Sequence, residues 1–304
     1  MKKVIVILGT NASGKTNLAV KLARKFKGEI ISADSRQVYQ GMDLGTGKEG
    51  RKGFFNKYPV RFIDTIPQYL VDIKKPNQQY TVADFQEQAT ALIHKIIQRN
   101  KIPFIVGGTG LYLDAVTKGF IIPQTSKKGK QIRKKLEKQS LKMLLKRLKK
   151  LDFKTYRKID KNNKRRIIRA LEVCLITGKK FSELKKAAKP DFKFLKIGLT
   201  HPRKKLYQLI DERVNRRIKQ GMILEVKKLR KLGIQWKRLD DFGLEYRFIA
   251  KYLKGEFSKE EMIEKLKFAI HDFARRQLTW FRRDKEIHWI TSQKQAERLI
   301  RKFL

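Results

Sequence analysis

Gly9-Thr10-Asn11-Ala12-Ser13-Gly14-Lys15-Thr16 is the densest stretch of chemistry in the chain. It fits the pattern G-x-x-x-x-G-K-[ST], whose parts have separate tasks. Gly9 and Gly14 allow backbone angles that turn the loop's amides inward, around phosphate oxygens. Lys15 adds a positive charge, and the Thr16 hydroxyl offers a ligand to Mg²⁺. The apolar run Val4–Leu8 precedes the loop and a helical pattern follows it. Strand, glycine loop and helix in that order aim the positive end of a helix at the bound anion. All eight residues are therefore expected at a phosphate group, with Thr16 at the metal. A purely structural glycine turn is the bland reading, and that context disfavours it.

A second cluster follows the next apolar run: Asp34, Ser35, Arg36 and Gln37. A carboxylate at the C-terminal end of a strand, beside a phosphate loop, can be a Mg²⁺ ligand or a general base. It can also simply cap a following helix. Gln37 has a donor and an acceptor, which suits the edge of a nucleobase.

The charge balance points to a large anionic partner. The 304 residues include 74 Lys and Arg against 29 Asp and Glu, a net charge of +45. Such a surface attracts polyanions at long range, nucleic acid first and anionic membrane second. A generic lysine coat is the alternative. The apolar share of 41% is enough for a core. The single cysteine, Cys174, excludes an internal disulfide and a cysteine-based zinc site, and it fits a reducing cytoplasm. Cys174 itself reads as a buried core residue. His201, His271 and His288 are scattered without metal-ligand spacing. The opening run is too short for the apolar region of a signal peptide. No stretch approaches the roughly 18 apolar residues of a membrane span.

The elements that must position these groups read as an α/β fold: a P-loop-type parallel sheet core flanked by helices, with a helical insertion. Strands are expected at 4–8, 29–32 and 195–199, and helices over 15–26, 81–99 and 259–276. Thr81 is the expected N-cap of the second helix and Asp84 lies in its first turn. Residues 127–169 carry 20 Lys and Arg against 3 Asp and Glu. Within them Leu136, Leu141, Leu144, Leu145, Leu148 and Leu151 keep roughly helical spacing, an amphipathic basic segment. The expected division is a first core part at 1–122, a basic insertion at 123–190 and a second core part at 191–304.

The segments GTNASGKT, ISADSRQVYQGMDLGTGK, YTVADF, VGGTGLYLDAV, RALEVCLITGK, LIDERV, GLEYR and RRQLTWFRRDKEIHW occur in this order. Together they resemble the bacterial tRNA dimethylallyltransferases, over nearly the whole chain. The resemblance implies transfer of a five-carbon group from dimethylallyl diphosphate to the exocyclic amine of the adenine 3′ to the anticodon. It makes Asp34 the general base, places Ser35 and Gln37 at the flipped base and counts Arg36 with them among the tRNA contacts. It puts Lys15, Thr16 and Arg213 on the diphosphate side, with Mg²⁺ at Thr16. Thr109 is implied near both the donor phosphate and the base, and Thr109 and Lys15 join Asp34 as catalytic groups. Arg133, the turn Arg165, Arg166, Ile167, Ile168 and Arg169, and Phe242, Gly243 and Arg247 are implied tRNA contacts. Leu209 stands where the family has an arginine. A monomer in the cytoplasm is the expected state.

Three other readings share some of these features. A small-molecule kinase would use the loop but has no need of so much positive charge. A prenyltransferase acting on free adenylates would need a smaller insertion. A nucleotide-gated RNA-binding protein would explain the charge, but not an acid and a base-reading glutamine beside the loop.

Overall fold

The computed structural model describes residues 2–120, 127–183 and 191–304. The chain opens with β1 (Lys2–Gly9), α1 (Lys15–Lys25) and β2 (Gly28–Ser32). β3 (Arg51–Phe55), β4 (Tyr58–Ile63) and β5 (Ile66–Tyr69) follow, then α2 (Val82–Gln98), β6 (Ile102–Gly107) and α3 (Gly110–Thr117). Four helices come next: α4 (Lys127–Glu137), α5 (Leu141–Leu151), α6 (Phe153–Lys158) and α7 (Lys164–Thr177). After β7 (Phe192–Leu199) come α8 (Arg203–Lys219), α9 (Met222–Lys231), α10 (Trp236–Phe242), α11 (Leu244–Leu253) and α12 (Lys259–Phe281). β8 (Ile287–Ile290) and α13 (Gln293–Phe303) close the chain.

The strands form one eight-stranded sheet in the order β3-β4-β5-β2-β6-β1-β7-β8. From β5 to β8 every pairing is parallel, whereas β3–β4 and β4–β5 are antiparallel. The mainly parallel sheet agrees with the expectation, and the antiparallel edge is an addition to it. β1 lies inside the sheet, and Val4, Ile5, Val6 and Ile7 are fully buried. This is why the strand is a continuous β-branched run rather than an alternating one. α1 lays Leu18, Ala19, Leu22 and Ala23 against that sheet. α2 starts as expected: the Thr81 hydroxyl accepts from the Asp84 amide, and the Asp84 carboxylate accepts from the Thr81 amide.

Strand order decides where the chemistry collects. β2, β6 and β1 are neighbours and parallel. The segments that follow them, Asp34, Gly108–Thr109 and the phosphate loop, therefore emerge along the same sheet edge.

The chain divides into two compact units, Met1–Leu113 with Asp191–Leu304, and Asp114–Pro190. The anticipated insertion boundaries, 122/123 and 190/191, fall at or beside residues 121–126 and 184–190, outside the described residues. In the second unit α4 and α5 pack on α7, with Leu136, Leu144, Leu148, Ile167 and Leu171 as the core. Leu141 and Leu145 lie at its margin. Leu151, expected on the same seam, is exposed. The basic segment is several short helices, broken at caps Ser140, Asp152 and Asn163. Leu151 is the last residue of α5, at the helix end rather than along its packed length.

Candidate active site

The phosphate loop leaves β1 at Gly9, where a side chain could not fit. A Cβ there would lie 2.7 Å from Ser13 Oγ and 2.8 Å from Leu199 O. The loop closes with Gly14 in the left-handed region (φ 81°), a conformation that favours glycine. Gly14 is also the N-cap of α1 and brings no capping side chain, so the first amides of the helix stay available to an anion. Ala12 shares the left-handed conformation (φ 62°). Thr10 is buried, Asn11 half-buried, and Thr16 half-buried in the first turn of α1. Ser13 Oγ is buried with no hydrogen-bond partner. An orphaned buried hydroxyl beside the uncapped N-terminus of α1 fits a phosphate oxygen.

His201, just beyond β7, holds the loop from one side. Its Nε2 lies 3.0 Å from Ser13 O, so that nitrogen carries the proton. Gln277 of α12 holds it from another. Its Oε1 accepts from the Asn11 amide at 2.9 Å, and its Nε2 donates to Gly108 O at 2.8 Å. One buried carboxamide thus joins the phosphate loop to the turn after β6. Removing it leaves two buried backbone groups unpaired, at about 1–3 kcal/mol each. Gln277→Ala is expected to lower stability by that order and to weaken inorganic diphosphate about tenfold. Denaturant titration and calorimetric binding measure both. Unchanged diphosphate affinity would contradict this bracing role.

Asp34 lies two residues past β2. No helix follows, so it does not act as a helix cap. Its Oδ1 instead accepts from the Arg36 amide at 2.9 Å, a local Asx turn. The neighbouring segment is tied to the β6 turn: the Thr109 hydroxyl accepts from the Ser35 amide at 3.1 Å, and the Thr109 amide donates to Ala33 O. The Gln37 carboxamide is engaged inside the protein. Its Oε1 accepts from Ser32 Oγ at 2.9 Å, and its Nε2 donates to Thr46 O and Gly47 O at 3.4 Å each. Only the second lone pair of Oε1 is left for a ligand, less than the donor and acceptor expected of it.

Electrostatics show what this edge lacks. Burial pulls the Lys15 ammonium down to about 8. The Asp34 carboxylate opposes the fall, and the Arg213 and Arg217 guanidiniums add to it. Arg213 is lowered too, by burial first and by Arg217 next. Three cations that destabilise one another, with Asp34 and Glu245 as the carboxylates opposing the shifts, form a site short of negative charge. The pH dependence follows. Below about 8 the free Lys15 is charged and inorganic diphosphate binding should be flat. Above it Lys15 must take up a proton to bind, so the dissociation constant should rise, by up to about tenfold per pH unit. In Lys15→Arg the rise just above pH 8 should shrink, because a guanidinium holds its proton to higher pH than an ammonium in the same place. A flat wild-type profile across this range would contradict the assignment.

The residues present fit a metal-assisted phosphate site of the open kind. Among the described residues no group of three or more His, Cys, Asp and Glu side chains could cage a cation. An ion would therefore be held by the ligand's own phosphates together with the Thr16 hydroxyl, as Mg²⁺ often is.

The IPP transferase family profile matches residues 37–284, and an isopentenyl transferase profile matches residues 2–56. The chain belongs to the IPP transferase family. It is 43% identical to the tRNA dimethylallyltransferase of Halothermothrix orenii, over 94% of this chain and 86% of that protein. It is 42% identical to the one from Carboxydothermus hydrogenoformans, over 100% and 96%. The solved tRNA isopentenylpyrophosphate transferase of Bacillus halodurans superposes with a TM-score of 0.69 at 37% identity, covering 96% of this chain and 90% of that one. A eukaryotic dimethylallyltransferase solved in action on tRNA gives 0.80 at 27% identity, covering 99% and 78%.

Within this IPP transferase fold the remaining expected residues divide. Arg213 lies on α8, with the half-buried Leu209 one turn before it and the buried Arg217 one turn after. Arg133 is half-exposed, and its guanidinium donates to the fully buried Glu172, which also accepts from Arg169. Ile167 and Ile168 are corrections: both are buried in the core of their unit, because an amphipathic helix turns alternate pairs inward. Of that turn Arg165 and Arg166 are exposed and Arg169 is half-buried. Phe242 is a further correction. Its ring is 1% exposed, packed against Tyr39 and Tyr246, with the Arg238 guanidinium over its face. Gly243 breaks the chain between α10 and α11 (φ 127°) beside Arg36, and Arg247 donates to Asp240 O. Gln277 was missed by sequence reasoning as a site residue. Two signals mark it: it stands inside the RRQLTWFRRDKEIHW segment, and it is a polar side chain on the buried face of a long amphipathic helix.

Proposed function

We propose that this chain is a tRNA dimethylallyltransferase. It would move the dimethylallyl group from its diphosphate to the exocyclic amine of the adenine beside the anticodon. The observation that carries the reading is a carboxylate, Asp34, set next to a cation-rich phosphate loop in a chain whose relatives bear that name. A diphosphate leaving group needs the cations, and a weakly nucleophilic amine needs the carboxylate.

In this account the loop amides, Lys15 and Arg213 hold the diphosphate and take up the charge that develops as the allylic C–O bond breaks. Mg²⁺ bound with Thr16 would supply further neutralisation of the same oxygens. The adenine amine forms the C–N bond, and Asp34 accepts its proton. Thr109 fixes Ser35 and hence the backbone that aims Asp34. The adenine leaves its stack to reach the donor, which costs least in an unpaired loop. In the Asp114–Pro190 unit the exposed Lys142, Lys146, Arg165 and Arg166 would meet phosphates of the anticodon stem-loop, with Arg133 and Arg169 oriented by Glu172. No helix among the described residues is long and apolar enough to cross a membrane. A cytoplasmic monomer is the proposed state.

The test is diphosphate release from dimethylallyl diphosphate by the purified protein with Mg²⁺. Release should depend on added tRNA and should not be replaced by ATP hydrolysis. Phosphorylation of a small metabolite with no tRNA dependence would return the chain to the kinase reading.

A further inference from the structure

We infer that Glu225 is a positioning residue for the acceptor side of the reaction. It acts through the loop that carries Asp34 and Gln37, and the inference rests on the functional reading above. The chain from Asp34 to Lys48 forms no helix and only one isolated bridge, Tyr39 with Lys74. Its amides must find partners outside a regular ladder. Three successive ones, those of Asp43, Leu44 and Gly45, all donate to the Glu225 carboxylate, at 2.7, 2.7 and 3.0 Å. The Tyr246 hydroxyl adds a fourth bond at 2.7 Å. Amides converging in this way form a cradle for an anion. Here a side chain remote in sequence supplies the anion.

Glu225 is itself held firmly. It sits in the first turn of α9, where the helix dipole favours negative charge, and Met222, Val226 and Leu229 of that helix are buried. The link from the turn to the site is short. The carbonyls immediately after the three amides, Thr46 O and Gly47 O, are those that receive the Gln37 carboxamide. Gly47 has φ +66°, and a Cβ there would lie 1.7 Å from Arg217 Nη2, so the turn is also pressed against a buried guanidinium. Lys48 closes the loop. Its fully buried side chain is paired with Asp43 and Asp72. The turn 43–47 therefore has Glu225 on one side and Gln37 on the other. Loosening the first grip moves the second, and with it the strip of backbone from Ser32 to Gln37 that presents Asp34.

A merely structural Glu225 would weaken every step alike. The test is single-turnover prenyl transfer by the full chain with dimethylallyl diphosphate and tRNA. Glu225→Gln keeps the side chain's volume but turns an amide donor toward amide donors. It should lower kcat/KM for tRNA about tenfold or more, while the affinity for dimethylallyl diphosphate stays within about twofold. A double-mutant cycle with Gln37→Ala supplies the decisive readout. If Glu225 acts through Gln37, its substitution should cost about threefold or less once Gln37 is gone. An equal loss in both backgrounds, or no loss in the first, would overturn the inference. If Glu225→Gln does not fold, Tyr246→Phe, which removes one of the four bonds, is taken through the same cycle and judged by the same outcomes. Wild-type protein runs alongside. Its failure to modify tRNA at all would overturn the functional reading and this inference with it, whereas its success makes any loss in the variants specific to Glu225.

Discussion

Asp34→Asn is expected to slow prenyl transfer about 10²–10⁴-fold, the usual contribution of a positioned general base. The carboxamide keeps an oxygen where Asp34 Oδ1 accepts the Arg36 amide, so the local turn should survive. What it loses is the ability to take a proton from the adenine amine and the negative charge set against Lys15. The second loss has its own consequence. Without the carboxylate the Lys15 ammonium is still less favoured, yet a dianionic ligand no longer meets repulsion, so donor affinity should change little or improve. Asp34→Ala removes the turn acceptor as well and should be slower still. Single-turnover rates with saturating tRNA and donor measure these effects directly. Near-normal rates in the Asn variant would reduce Asp34 to a turn former.

The second large effect concerns the basic helices. Neutralising Lys142, Lys146, Arg165 and Arg166 together should make tRNA binding weaker and less sensitive to salt. All four are exposed. Arg133 is deliberately spared, because its removal would strip a partner from the fully buried Glu172 and confuse binding with folding. Each phosphate contact releases counterions and contributes about 0.7–0.9 to the slope of log affinity against log salt. Four lost contacts should therefore make the slope shallower by about 3. Dimethylallyl diphosphate affinity should stay constant, since the phosphate loop proposed to hold it lies in the other unit. Lys27, Lys101, Lys294 and Lys302 serve as the control set. They are exposed, and the first two precede β2 and β6, at the strand ends opposite the phosphate loop. Equal losses from both sets would mean a generic lysine coat.

What could be read from the sequence was what local rules determine. The phosphate loop is legible because two glycines, a lysine and a threonine must fall at fixed spacing to build it. The start of α2 is legible because a capping box is a four-residue device. The parallel sheet followed from an apolar run that had to be buried on both faces. The antiparallel edge was missed although its turn carries a signal: Asn56 and Lys57 both have positive φ, as a tight hairpin requires. Asn at the first position hinted at this, and Lys at the second concealed it. Ile167, Ile168 and Phe242 were read as contacts because they stand inside motifs, yet a motif includes the core residues that aim its arginines. The roles of Gln277 and Glu225 were not legible. The backbone groups they hold lie more than 150 residues away along the chain, so no local rule assigns those partners.

Prenyl transfer to tRNA is tested most simply by mass spectrometry of nucleosides from tRNA incubated with the protein, Mg²⁺ and dimethylallyl diphosphate. The expected product carries a dimethylallyl group on the exocyclic amine of the adenine adjacent to the anticodon. It should be absent without the donor and strongly reduced with Asp34→Asn. Unmodified adenosine throughout, under conditions where the protein binds both tRNA and diphosphate, would contradict the proposed reaction.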